Sequence, residues 1–284
     1  MKKLFPVLLF FTACLCFVAC NDNDTPSTDG QGGGKPNPAQ VFTGGIPKSI
    51  GDYHVKTNEI GLITQICDEA GDAIATFSYP TQSRSTDNYD VLMEIEEYGA
   101  GKMYMKLNQN GFVEHVNQIE SDGSKEEWWF KYDAEGHMTQ MKRTEGDNEI
   151  FDLIYDNGDL IQTVFTSHES NLEEKETYYI AYTNNNDIKE PILNKGCVML
   201  FDYTMSVDLD EMEYVYMAGL LGKATKNLPI ENRSYSKISE EESITYTEKY
   251  EWNLNNASMP ESMEATYFID GSMESYSDKI YFNW

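Results

Sequence analysis

Residues 128–164, WWFKYDAEGHMTQMKRTEGDNEIFDLIYDNGDLIQTV, contain one pattern twice. In each copy an apolar and aromatic run ends in Tyr-Asp, a short turn rich in Asp, Asn and Gly follows, and a second run with spaced apolar residues returns. The two turns lie at Tyr132–Gly136 and Tyr155–Gly158. Strand-like runs on both sides of such a turn are typical of a β-hairpin. The stretch therefore predicts paired antiparallel strands.

The same pattern recurs along the chain. The anchor residues Leu107, Tyr132, Tyr155 and Tyr182 are 25, 23 and 27 residues apart, which is about the length of a strand pair with two turns. Internal repeats of this period indicate stacked units. Because no segment of helical length separates the repeats, we predict an all-β fold, a large curved antiparallel meander that is open or barrel-like.

One segment departs from the strand pattern. Its apolar residues recur at helical spacing, at Leu209, Met212, Tyr216 and Leu220. Asp208 and Glu211 have the spacing of a capping box, and Gly222 is a plausible stop. The sequence predicts one short helix over residues 209–221, lying on the sheet.

The amino terminus has the features of an export signal. Two lysines precede the apolar run of residues 4–18, and Phe17-Val18-Ala19-Cys20 resembles a lipobox, the site of lipoprotein processing. We expect residues 1–19 to be a signal peptide and Cys20 to be lipidated, while a secreted protein cut nearby is the alternative. Residues 20–45, rich in Gly, Pro and Asn, are predicted to be a flexible tether. Residues 46–284 are predicted to form a single β-meander domain.

The net charge limits the kinds of molecule that the protein can bind, and the cysteine content limits its disulfides. The chain has 48 acidic and 21 basic residues and a formal net charge of −27, so nucleic acid is excluded as a partner. Cations, neutral sugars and basic proteins remain, and contact with the membrane is expected only through the lipid anchor. Cys67 and Cys197 remain after processing, and either a disulfide or two buried thiols fit the sequence.

Several features together resemble an uncharacterised Bacteroidetes lipoprotein family, a domain of unknown function with a porin-like fold. They are the lipobox, Gly61-Leu62-Ile63-Thr64, the Tyr-Asp-x-x-Gly hairpins and the segment Ala218–Pro229. The resemblance covers roughly residues 60–284 and implies a large barrel-like antiparallel sheet, with no known activity and no site residues. Acidic residues after Cys20 resemble the surface-export signal of such lipoproteins. We therefore expect an outer-membrane lipoprotein on the cell surface or the periplasmic face.

Residues that could carry chemistry are few. Acidic pairs such as Glu126/Glu127 and Asp208/Asp210 are too common to select a catalytic one, and the four histidines have no metal-ligand spacing. No nucleophile, phosphate-binding or dinucleotide motif occurs, so we predict no catalytic residues, metal or cofactor. The aromatic residues are the candidates for ligand binding: Trp128, Trp129, Tyr132 and Tyr155. Trp128 and Trp129 are adjacent in a strand, so their side chains should point to opposite faces.

Three functions fit these observations. The first is a non-enzymatic, lipid-anchored envelope protein that binds a glycan, small ligand or partner protein on its sheet. The second is a polysaccharide hydrolase that uses paired carboxylates. The third is a barrel embedded in the outer membrane, because the terminal run Ile280–Trp284 resembles the terminal assembly signal of such barrels. Charged residues such as Lys131 and Asp152 interrupt the apolar band that a membrane barrel needs, so we favour the first.

Overall fold

The computed structural model describes residues 34–80, 89–96, 101–144, 148–169, 172–184, 187–237, 243–276 and 279–284. The described residues from Gly34 to Trp284 form one compact unit. The predicted signal peptide, Cys20 and the first part of the predicted tether lie outside the described residues.

The part of the chain that the structure describes forms three short helices and 19 strands. The helices are α1 (Pro38–Val41), α2 (Phe201–Met205) and α3 (Met212–Met217). The strands are β1 (Ser49–Ile50), β2 (Tyr53–Thr57), β3 (Ile63–Cys67), β4 (Ala73–Ser78), β5 (Val91–Ile95), β6 (Lys102–Leu107), β7 (Val113–Ile119), β8 (Lys125–Tyr132), β9 (Met138–Arg143), β10 (Glu149–Asp156), β11 (Asp159–Glu169), β12 (Leu172–Ala181), β13 (Ile192–Leu193), β14 (Asn227–Leu228), β15 (Glu231–Lys237), β16 (Ser243–Leu254), β17 (Pro260–Ile269), β18 (Ser272–Tyr276) and β19 (Ile280–Asn283).

Sixteen strands pair antiparallel in a closed barrel. Each strand from β2 to β11 pairs with the next one along the chain, β12 pairs with β15, and β16 and β17 continue the order. Strand β19 pairs with the first half of β17, and β1 closes the ring because Ser49 pairs with both Asn283 and His54. Strand β18 pairs with the second half of β17, and β13 pairs with β14 separately. The predicted all-β antiparallel meander is confirmed, and it closes.

The tight turns at one end of the barrel share one hydrogen-bonding pattern. We call this the closed end. The turns with this pattern begin at Asn58, Asn108, Asp133 and Asn255, and the two-residue turn Asn157-Gly158 lies at the same end without it. Asp133 Oδ1 accepts hydrogen bonds from the backbone N–H groups of Glu135 and His137, both at 2.9 Å. Asn58, Asn108 and Asn255 bind the same two positions of their own turns. A short side chain that satisfies its own turn in this way explains the repeated Asp or Asn.

The tyrosine before a turn ties neighbouring hairpins together. The Tyr132 hydroxyl donates to the carbonyl oxygen of Val113 at 2.6 Å, and the Tyr79 hydroxyl donates to that of Ile63 at 2.7 Å. Tyr182 does the same to the carbonyl oxygen of Leu160 at 3.0 Å. At these three positions the Tyr anchors its hairpin to the one before it, whereas the buried Tyr155 hydroxyl has no hydrogen-bond partner among the described residues.

The barrel interior is filled by its own chain. Strands β13 and β14 pair at the base of a long connection, residues 194–226, which contains α2 and α3. Most of its apolar side chains are buried in one hydrophobic cluster with the inward residues of the strands. Close packing of this kind makes the lumen a core rather than a water-filled channel over these residues.

Residues 218–226, the crossing segment, connect three successive hairpins at the closed end. The Leu220 carbonyl accepts a hydrogen bond from Val113 N at 2.8 Å, Lys223 N donates to Gly136 O at 2.9 Å, and Lys226 N donates to Gly158 O at 2.8 Å. Gly222 has a φ of +86°, and a Cβ there would lie 2.7 Å from Gly136 O. The crossing segment needs glycine where it approaches a turn most closely.

Two segments differ in extent from the prediction. The predicted helix is present but covers only Met212–Met217, so Asp208 lies four residues before it, where its carboxylate accepts a hydrogen bond from Asp210 N at 3.3 Å and binds Arg143. The residue at the N-cap position is Glu211, which makes no side-chain cap. The predicted tether of residues 20–45 ends earlier, because Gly34 N donates to Asn108 O and Phe42 is buried against Tyr216.

Candidate functional site

The barrel end opposite the closed end holds four cavities. We call it the open end, and it carries the turns at Gly51–Asp52, Asp68–Asp72 and Glu120–Ser124. The cavities measure about 830, 560, 400 and 400 Å³. Their floor comes from residues 199–217 of the internal connection, and their walls come from inward strand residues. The open end is therefore where a ligand could enter this barrel.

The large cavity, of about 830 Å³, combines aromatic rings with carboxylates. Tyr53 and Tyr214 pack edge to face with ring centroids 5.5 Å apart. Tyr203, from α2, also lines the cavity and is 48% exposed. The carboxylates that line it belong to Asp52, Asp68, Glu69 and Glu213, with one amine, that of Lys279. Rings with carboxylate acceptors suit a ligand that has an apolar face and hydrogen-bond donors.

Glu213 is the most perturbed acid at the open end. Burial, together with the nearby carboxylates of Asp202, Asp208 and Asp210, raises the pKa of Glu213 to about 7. Burial and a neighbouring negative charge both disfavour the ionised form. Glu213 therefore exchanges a proton near neutral pH, inside the large cavity.

Arg143 joins the internal connection to the barrel wall. Its buried guanidinium donates to Glu149 at 2.5 Å and to Asp208 at 3.2 Å, and it also binds Asp210. The guanidinium lies over the Trp128 ring at 5.3 Å from the centroid. Asp208, the predicted N-cap, and Asp210 thus serve as partners of a cation from strand β9.

The second cavity, of about 560 Å³, is the tyrosine cleft. Part of its lining comes from residues that alternate along four neighbouring strands and face the lumen: Glu176, Tyr178, Asn232, Ser234, Tyr246, Glu248 and Tyr267. Tyr246 and Tyr267 stack with centroids 6.4 Å apart. Burial raises the pKa of Glu248 above its ordinary value, while a hydrogen bond from Tyr250 opposes this.

The two predicted tryptophans lie on opposite faces of β8, as expected. Trp128 is 0% exposed, and its indole N–H donates to Gln118 Oε1 at 3.2 Å. Trp129 is half-buried on the outer face, stacked on His115 at 5.4 Å with the Lys142 amine 5.4 Å from its ring. Trp128 packs in the core, and of this pair only Trp129 reaches solvent.

The two predicted tyrosines lie at the closed end. Tyr132 stacks on Phe112 with centroids 5.2 Å apart, in addition to its bond to Val113. Tyr155 stacks on His137 at 4.8 Å. The four predicted ligand-binding residues are therefore not brought together in one cavity, and ligand contact by them stays a prediction.

Reasoning from the sequence missed Tyr53, Tyr203, Tyr214, Asn232 and Glu248. Alternation could have placed Asn232 and Glu248 on the lumen face of their strands. The positions of Tyr203 and Tyr214 could not be predicted, because both lie in the internal connection, which has no repeat in its sequence that indicates its path through the lumen.

Other candidate chemistries are limited within the described residues. Cys67 and Cys197 are both free there, and no group of three or more His, Cys, Asp or Glu side chains is placed to hold a metal ion. Among the described helices, none has the length and apolarity needed to cross a membrane.

Comparisons with known proteins give a family and a fold. The profile of a family described as a domain of unknown function (DUF4595) with porin-like fold matches residues 55–262. A porin-like protein from Bacteroides uniformis ATCC 8492 has a TM-score of 0.57 at 15% identity, over 81% of this chain and 88% of that one. One from Bacteroides vulgatus ATCC 8482 has a TM-score of 0.55 at 12% identity, over 84% and 99%. At such identities these structures share the fold alone, and the search of curated proteins found no match.

Proposed function

The chain belongs to this family of unknown function with a porin-like fold, and we propose that it is a non-enzymatic, lipid-anchored envelope protein that binds a small glycan in the large cavity. The observation that carries the proposal is a cavity of about 830 Å³ with four tyrosine side chains and four carboxylates on its lining. This volume is within the range of small-molecule binding sites.

The lining favours a neutral, hydroxyl-rich ring. The Tyr203 ring is solvent-accessible and can pack on the apolar face of a sugar. Carboxylates accept hydrogen bonds from hydroxyl groups, and ionised carboxylates only accept. An anionic ligand is disfavoured because the chain carries a net charge of −27 and the cavity has four acidic side chains against Lys279.

The proposed anchor is an acyl chain on Cys20, and features of the barrel support anchoring over embedding. Charged side chains stand exposed on the outer face of the wall at Glu114, Lys131, Lys249 and Glu251, where an embedded barrel needs an apolar band. We expect wild-type protein to incorporate labelled palmitate in cells and Cys20→Ser to incorporate none. Incorporation that Cys20→Ser does not change would contradict the anchor and leave the cavity unaffected.

The binding half is tested by glycan-array screening of the purified full-length protein, followed by calorimetry with the best glycan. Tyr203→Ala should weaken binding roughly tenfold, which corresponds to about 1.4 kcal/mol for a lost ring contact. Tyr276→Ala, which removes a tyrosine that is 62% exposed on β18, is the matched control and should bind as wild type. An array without signal, or equal loss in both variants, would refute binding in the large cavity.

One observation favours a second function. A carboxyl group with a pKa near 7 is suited to act as a general acid, and Glu213 has that property beside other carboxylates. A polysaccharide hydrolase with Glu213 as the acid is therefore the alternative. Release of reducing sugar from any polysaccharide, abolished by Glu213→Gln and kept by Glu251→Gln, would establish hydrolysis. Unchanged turnover in Glu213→Gln would remove Glu213 from that role.

A further inference from the structure

The tyrosine cleft is organised by strand register. Asn232 on β15 pairs with Glu248 on β16, and Glu248 pairs with Tyr267 on β17. One step toward the open end, Ser234 pairs with both Tyr178 and Tyr246. Directly paired residues on one face of a sheet have Cβ atoms about 4.5–5.5 Å apart. An amide and a carboxylate therefore lie side by side, with tyrosines on the neighbouring positions.

Asn232 holds an acceptor that its surroundings do not use. The residue is only 4% exposed, and its Nδ2 donates to Ser206 Oγ at 2.8 Å and to the Thr204 carbonyl at 3.3 Å. Its Oδ1 is buried and accepts no hydrogen bond from any described residue, while the Asn232 side chain belongs to the lining of the tyrosine cleft. A buried acceptor without a donor costs about 1–3 kcal/mol. The position is therefore suited to a donor supplied from outside the chain.

The acids of the cleft lack a cationic partner among the described residues. The Glu248 carboxylate accepts from the Tyr250 hydroxyl at 2.9 Å, and that of Glu176 accepts from Tyr178. Arg143, in the adjoining cavity, forms ion pairs with Glu149, Asp208 and Asp210. The one basic residue on the cleft lining is Lys175, which is exposed.

We propose that the tyrosine cleft binds the primary ammonium group of a small organic amine between Asn232 Oδ1 and the Glu248 carboxylate. An ammonium group has three donors and no acceptor, which matches the unused amide oxygen and the carboxylate. Its charge offsets the acidic lining, and the faces of Tyr178 and Tyr246 add cation–π attraction. A neutral alcohol supplies one donor and no charge. The site is separate from the large cavity and does not depend on glycan binding there.

Calorimetry on the purified full-length protein at pH 7.5 tests the site with butane-1,4-diamine and, as the neutral match, butane-1,4-diol. We expect saturable binding of the diamine that weakens with added salt, and at least tenfold weaker binding of the diol. No saturable binding of the diamine, or equal affinity for the diol, would overturn the proposal.

Glu248→Gln keeps the shape and an acceptor for Tyr250 but removes the charge, and it should weaken the diamine at least tenfold. The matched control is Glu251→Gln, on the exposed outer face of the same strand, which should bind as wild type. Tyr246→Ala is a second variant and should weaken the diamine severalfold. Urea unfolding confirms that each variant is folded. Equal loss in Glu248→Gln and Glu251→Gln would overturn the site, whereas Tyr203→Ala should leave diamine binding intact and impair only the glycan.

Discussion

Replacing Glu213 by Gln should stabilise the protein at high pH. Burial and the carboxylates of Asp202, Asp208 and Asp210 raise the pKa of Glu213 to about 7. In the unfolded chain a glutamate has a pKa of about 4.3. The folded state therefore binds more protons than the unfolded state between these two values, and Glu213 makes the free energy of unfolding fall as pH rises through this window. Above pH 7 its destabilising contribution is fully present, and below pH 4 it is absent.

The size of the effect follows from the shift. Each pKa unit corresponds to about 1.4 kcal/mol, so ionised Glu213 costs at most about 4 kcal/mol at pH 8. Solvent reaches the open cavity and screens part of that charge, which lowers the expected gain for Glu213→Gln to about 1–3 kcal/mol. At pH 4 the glutamate is protonated and resembles glutamine, so the variant and wild type should unfold at similar urea concentrations.

The assay is urea unfolding of wild type, Glu213→Gln and the control Glu251→Gln at pH values from 4 to 8.5. The urea midpoint and slope give the free energy of unfolding at each pH. The control carboxylate is exposed on the outer wall, so its substitution should change stability by less than about 0.5 kcal/mol. A Glu213→Gln difference that is the same at pH 4 and pH 8, or a variant less stable at pH 8, would refute the electrostatic reasoning.

Two further predictions concern the internal connection. Gly222→Ala should destabilise the protein by about 2–4 kcal/mol in urea unfolding, because φ is +86° and the new Cβ would lie 2.7 Å from Gly136 O. The control is Gly71→Ala, where φ is +88° and nothing lies within 4 Å of the new Cβ, so it should show only the cost of the positive φ. Equal losses in the two variants would rule out the close contact. Arg143→Met should cost about 3 kcal/mol, because it leaves the half-buried Glu149 carboxylate without its cation. Lys102→Met, which breaks an exposed ion pair with Glu94, should change the free energy of unfolding much less, and a similar loss in both variants would show that burial does not matter here.

Local patterns predicted the local structure well. Tyr132–Gly136 forms the expected hairpin turn, and Asn157 and Gly158 both have positive φ values, as a two-residue hairpin turn needs. These features depend on neighbouring residues only. Closure of the barrel could not be predicted, because it rests on Ser49 pairing with Asn283, a contact across nearly the whole chain through a two-residue strand.

The errors at Asp208 and Phe42 had one cause, which is that distant contacts override the local pattern, whereas Gly219 is a local feature. Asp208 has the local environment of a helix cap, yet the Arg143 guanidinium, 65 residues away, binds its carboxylate. Gly219 has a φ of +71°, so the helix ends before Leu220 despite the apolar spacing. Phe42 lies in a Gly- and Pro-rich stretch that suggested a tether, and it packs against Tyr216. The candidate site has the same origin, since the cavities form only where residues 199–217 meet the wall.

The crossing segment also limits how this protein can change in size. Its three hydrogen bonds, at Val113, Gly136 and Gly158, are spaced to match three consecutive hairpins, so its length is tied to the width of that side of the wall. Gain or loss of one hairpin between β7 and β10 would move the remaining hairpins away from their hydrogen-bonding positions on the crossing segment. Relatives with a different number of strands should therefore differ near β16–β18, which these three hydrogen bonds do not reach, or carry a crossing segment of different length.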